Sequence, residues 1–119
     1  MSLDSLASNA DIILRREADK RGFRARKLRI VEDSLSWAII RENETLAILI
    51  TNGEVFDLWI ASEWHFYAFE YDGSLEVVPQ LLDVLVSYSR NDFTVKVDAF
   101  GRRSILIAAQ GESWRGATE

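Results

Sequence analysis

The chain has 119 residues, 48% of them hydrophobic and 28% charged, with a net charge of −5 and no cysteine. That length suits a single domain over 1–119, and the hydrophobic share exceeds what a disordered chain carries. The absence of cysteine excludes a disulfide framework and a thiolate metal site, and apolar runs of about five residues fall far short of the roughly 20 that span a bilayer.

The first predicted element is a helix. Leu3, Leu6, Ala7, Ala10, Ile13, Leu14 and Ala18 recur at three- and four-residue spacing, and Gly22 supplies a natural stop. Ser8 with Asp11 offers a cap for a shorter helix, which would leave residues 1–7 frayed. No basic n-region precedes a long apolar stretch, so no signal peptide is expected and the expected location is cytoplasmic.

From Lys27 the period changes to two, with Leu28 and Ile30 alternating against Lys27 and Arg29. Further strands are predicted over 36–42, where Trp37, Ile39 and Arg41 share a face, and over 46–51, 54–61 and 64–71. Asn52-Gly53 is the strongest hairpin signal, because both residues accept positive φ, and Asp72-Gly73 is a second turn pair. Pro79 opens a helix near 79–90 whose buried stripe is Leu81, Leu82, Leu85 and Tyr88. Strands over 93–98 and 104–109 then form a C-terminal hairpin, and the polar tail 111–119 is expected to fray. This order predicts an α+β fold. A single antiparallel sheet, a meander of about five strands plus the C-terminal hairpin, is packed by the N-terminal helix and the second helix.

Charge is distributed unevenly. Residues 1–29 carry eight basic groups against four acids, while residues 30–119 carry six against fifteen. Between Glu42 and Ser89 stand nine carboxylates and no Lys or Arg, together with eight of the thirteen aromatics. A surface of one sign steers oppositely charged partners towards it, unless the basic cluster of Arg15, Arg16, Lys20, Arg21, Arg24, Arg26, Lys27 and Arg29 neutralises it internally.

The predicted strand 64–71 is apolar on both faces: Trp64, Phe66 and Ala68 point one way, and His65, Tyr67, Phe69 and Tyr71 the other. In 55–60, Phe56, Leu58 and Ile60 oppose Val55, Asp57 and Trp59. Such a sheet is covered twice, closed on itself, or covered by another chain.

Catalytic signatures are missing. His65 is the one histidine; with Asp57 and Glu63 it could be drawn as an acid–base or metal pair, but packing or a rim hydrogen bond is the expected role. No nucleophile motif, calcium loop or phosphate-binding glycine loop is present, so no enzyme activity, cofactor or metal is expected. The acidic body disfavours nucleic acid. The expected function is that of a non-catalytic protein-binding module, docking a basic protein partner, or a second copy of itself, through Asp57, Trp59, Glu63, His65, Tyr67, Glu70 and Tyr71. In size, charge and element order alone the chain resembles small acidic immunity proteins that neutralise basic nuclease toxins. It also resembles acidic secretion chaperones, which commonly work as dimers. The competing expectation is a small enzyme or ligand carrier with a cleft around Trp59, Trp64 and His65.

Overall fold

Eighteen residues with Leu6, Ala7, Ala10, Leu14 and Ala18 on one stripe form the helix α1 (Leu3–Lys20). The three alanines on that stripe let it lie close against the sheet beneath. In the computed structural model, which describes residues 3–29 and 32–118, α1 runs without the later start that Ser8 and Asp11 would permit. The chain turns at Gly22, which takes the left-handed conformation at φ 78°. It then enters β1 (Arg24–Lys27), earlier than the alternation of Lys27 to Ile30 suggests. Ile30 and Val31 lie outside the described residues, as do residues 1, 2 and 119.

A meander follows: β2 (Leu35–Arg41), β3 (Glu44–Thr51), β4 (Val55–Ile60) and β5 (Trp64–Phe69). Helix α2 (Val77–Ser89) starts two residues before Pro79 and buries Val78, Leu81, Leu82 and Leu85. Three strands complete the chain: β6 (Phe93–Val97), β7 (Arg103–Ala109) and β8 (Glu112–Ala117). All pairings are antiparallel, in the order β1-β2-β3-β4-β5-β8-β7-β6. The α+β architecture therefore stands as expected, with eight strands among the described residues rather than seven. The tail expected to fray forms β8, which enters between β5 and β7.

Both helices pack on the same face. Trp37, Leu49, Leu58 and Phe66 face one another across β2 to β5 and join Leu14, Leu81 and Leu85 in one core. Tyr88 of α2 stacks on Phe93 of β6 at 5.0 Å.

Two turns differ from the sequence expectation. Asn52-Gly53 does not make a two-residue hairpin. The Asn52 side chain accepts hydrogen bonds from the amides of Glu54 and Val55, an Asx turn, and only Gly53 has positive φ. Positive φ at both central residues, the signature of a type I′ hairpin, occurs instead at Glu42-Asn43 (φ 52° and 67°). A glutamate held there is strained. Replacing Glu42-Asn43 by Asn-Gly is expected to stabilise the fold by about 1 kcal/mol. The check is a higher urea midpoint at an unchanged slope.

Candidate docking face

The face of the sheet opposite the helices has no covering element among the described residues. On it, period-two alternation along β5 aligns His65, Tyr67 and Phe69, and β4 contributes Asp57 and Trp59 beside them. The rings form a continuous ladder. Trp59 stacks on His65 at 4.4 Å and 16°, and His65 is 6.0 Å from Tyr67. Tyr67 meets Phe69 edge-on at 5.7 Å, and Phe69 lies 6.1 Å from Tyr71. Tyr67, Phe69 and Tyr71 are 56%, 49% and 89% exposed, so the ladder opens to solvent towards one end.

His65 is oriented by Asp57, with Nε2 2.6 Å from the carboxylate Oδ1. With the carboxylate accepting, Nε2 carries the donated hydrogen and Nδ1 is left as the free ring nitrogen. The pair locks the imidazole flat on Trp59. Trp64 by contrast is buried at 2% on the helix side. Trp64 therefore lies on the other side of the sheet from Trp59 and His65, and the three do not line one cleft. Among the described residues no group of three or more His, Asp or Glu side chains is placed to hold a metal ion.

The carboxylates of the Glu42–Ser89 block occupy turns more than faces. Glu42 and Glu44 lie at the β2–β3 hairpin, and Glu63 in the β4–β5 turn is paired with Arg103, which also sits over the Trp64 ring. Glu54, Glu70, Asp72 and Glu76 gather at the opposite end, where the ladder finishes. There the Glu70 amide donates to the Glu54 carbonyl at 2.8 Å, and Phe69, Tyr71 and Asp72 line a shallow recess of about 230 Å³. Hydrogen bonds from Ser74 hold the Asp72 carboxyl below its ordinary range. Asp57 is the one carboxylate in the middle of the face among the described residues.

The basic cluster does not cover this face. Arg15 pairs with Asp11, and Lys20 and Arg16 with Glu17, all on α1 itself. Arg21 reaches across to Asp83 of α2 at 2.8 Å and back to Glu17. Burial alone would lower the Arg21 guanidinium, but the hydrogen bond and charge of Asp83, with Glu17 adding to them, leave it raised. Glu17 is lowered by the hydrogen bond from Lys20, against the opposing effect of burial. Among the described residues four cations do stand on the open side: Arg24 and Arg26 on the edge strand β1, which turn away from inward-facing Ala25, Lys96 on the edge strand β6, and Arg115 on β8, the strand next to β5.

Of the seven residues expected to bind a partner, the structure brings Asp57, Trp59, His65 and Tyr67 together on the face, with Tyr71 at its acidic end. Glu63 is drawn aside by Arg103, and Glu70 sits in the loop after β5. Phe69 belongs with the ladder, and the alternation of β5 already places it there. Compared with family models, curated proteins and solved structures, the chain finds no match in any of the three.

Proposed function

We propose that this protein is a non-catalytic protein-binding module whose uncovered aromatic sheet face docks a partner carrying basic side chains. The observation that carries the reading is the ladder from Trp59 to Tyr71, exposed on one face and ending among Glu54, Glu70, Asp72 and Glu76. Tyr and Trp provide large, stiff contact area with a polar tip, the residue types that anchor interfaces. A lysine or arginine seated at the acidic end would meet these carboxylates and the faces of Phe69 and Tyr71, combining ion pairing with cation–π attraction. The lack of cysteine suits a cytoplasmic setting, which is part of the same proposal. An immunity-type role against a basic toxin is one form of this reading, and a chaperone-like role is another.

The test is site-specific photo-crosslinking from position 69, where Phe69 is half-exposed on the same ladder, in a lysate of the source organism, with mass-spectrometric identification. Trp59→Ala and Tyr67→Ser should each lower the yield of the crosslinked partner at least ten-fold while the circular dichroism spectrum is retained. The partner's contact segment should be rich in Lys or Arg, and its capture should weaken as salt rises. Capture that is indifferent to both substitutions, or of an acidic segment, would refute the proposal.

A further inference from the structure

The two edges of the sheet are not alike. On β1, three of four residues are charged and exposed: Arg24, Arg26 and Lys27. Cations along an edge oppose pairing with another strand, and self-pairing would set them against one another. The other edge, β6, reads Phe-Thr-Val-Lys-Val, with one charge and no proline. Val95 and Val97 point to the helix side yet remain 39% and 63% exposed, because α2 reaches only as far as Phe93.

The hydrogen-bond phase of β6 follows from its neighbours. The Asp98 amide donates to the Arg102 carbonyl at 3.0 Å, which makes this a hydrogen-bonded pair. Alternation along an antiparallel ladder then directs Thr94 and Lys96 towards β7 and leaves the N–H and C=O groups of Phe93, Val95 and Val97 pointing outward. The far side of β7 agrees. The two-residue turn Gln110-Gly111 closes on Ala109 and Glu112, so the bonding groups of Ile105 and Ile107 face β8, away from β6.

We infer that β6 is a self-association edge, pairing antiparallel with β6 of a second copy about a two-fold axis through Val95. This register engages all three outward-facing residues, with Val95 opposite Val95 of the second copy and Phe93 opposite Val97. Each exposed Val97 then comes beside the Tyr88–Phe93 stack of the other copy. On the opposite face Lys96 stands across from Thr94, so no like charges meet within the strands. A shift by one pair that set Val95 against Val97 would bring Lys96 against Lys96. At the ends Asp92 faces Asp98, whose carboxylate is drawn back onto its own turn by the amides of Phe100 and Arg102. The interface is narrow, and the association is weak and concentration-dependent.

Position 94 tests both the edge and the register. Sedimentation equilibrium of the full chain from about 10 µM to 1 mM should show the mean mass rising from one chain towards two. Thr94→Lys sets a cation against Lys96 twice, by symmetry, and should weaken the dimer about five-fold. Thr94→Glu should tighten it by a similar factor. Thr94 is exposed, so both variants keep the fold. A chain that stays monomeric throughout, a dimer unmoved by position 94, or one dispersed by Tyr67→Ser instead would overturn the inference. Because this edge is separate from the aromatic face, its failure leaves the docking proposal standing, and the reverse holds.

Discussion

Replacing Trp37 by alanine should destabilise the protein by about 3–5 kcal/mol, the range for truncating a fully buried large aromatic. Trp37 is 0% exposed in the middle of β2. It faces Leu49 across the ladder, and its indole Nε1 donates to Oδ1 of Asp11 on α1 at 3.0 Å. One side chain therefore fills the core beneath the helix and also ties helix to sheet. Trp37→Phe separates these roles. It keeps most of the ring but removes the donor, leaving Asp11 its pairing with Arg15, and about 2 kcal/mol should be lost. Urea unfolding followed by circular dichroism, with the slope held constant, measures both. A loss below about 1 kcal/mol for the alanine variant would mean that α1 does not rest on β2 as described.

The second large effect is expected at Gly116. A Cβ added there would lie 2.7 Å from Cζ of Phe66, 2.8 Å from its Cε2 and 3.0 Å from the carbonyl oxygen of His65. Phe66 is 0% exposed and packed on all sides, and the carbonyl belongs to the backbone of β5, so neither has room to retreat. Gly116→Ala should cost about 1–3 kcal/mol through overpacking. Because β8 meets β5 through the pair His65 and Ala117, the damage should concentrate there, with faster amide exchange over 112–117 than over β2 and β3. Trimming the obstacle offers a control. In a double-mutant cycle, Phe66→Leu combined with Gly116→Ala should be less destabilised than the two single losses added together. Additive losses would place Gly116 out of reach of Phe66. The close approach also bears on the docking face, since β8 buttresses the strand that carries His65, Tyr67 and Phe69.

The edge and the face make different demands on the chain. The aromatic face is built from side chains held by interior strands, so its geometry is stiff. The β6 edge offers backbone groups and two valines at the margin of the core, where α2 no longer reaches. A partner on the face leaves the edge free, and a second copy on the edge would present two aromatic ladders on the same side of one continuous sheet. Two ladders on one assembly would raise the apparent affinity for a partner with repeated basic segments, through effective concentration alone.

Much of this protein was determined by sequence pattern alone. Three- and four-residue spacing specified α1 and α2, and strict alternation in 55–60 and 64–69 specified two strands that are apolar on both sides. From that alternation came the expectation of an aromatic face, including His65, Tyr67, Phe69 and Trp59 as neighbours. These features are legible because helix and strand geometry project neighbouring positions in a fixed way, whatever surrounds them.

The tertiary structure decided the rest. Glu112 to Ala117 has little local strand signal, being polar with a glycine near its end. It becomes β8 because the gap between β5 and β7 offers unpaired backbone on both sides and a space beside Phe66 that only glycine fits. Which aromatic face is covered depended on α2 crossing to the same side as α1, a matter of chain connection rather than of residue type. The acidic block was visible as a count of charges, but its division into turn carboxylates, one central Asp57 and the ion pairs of Asp83 with Arg21 and of Glu63 with Arg103 required the register and the helix packing. Charge along a chain is local information. Whether it forms a surface depends on which side of a folded sheet each residue reaches.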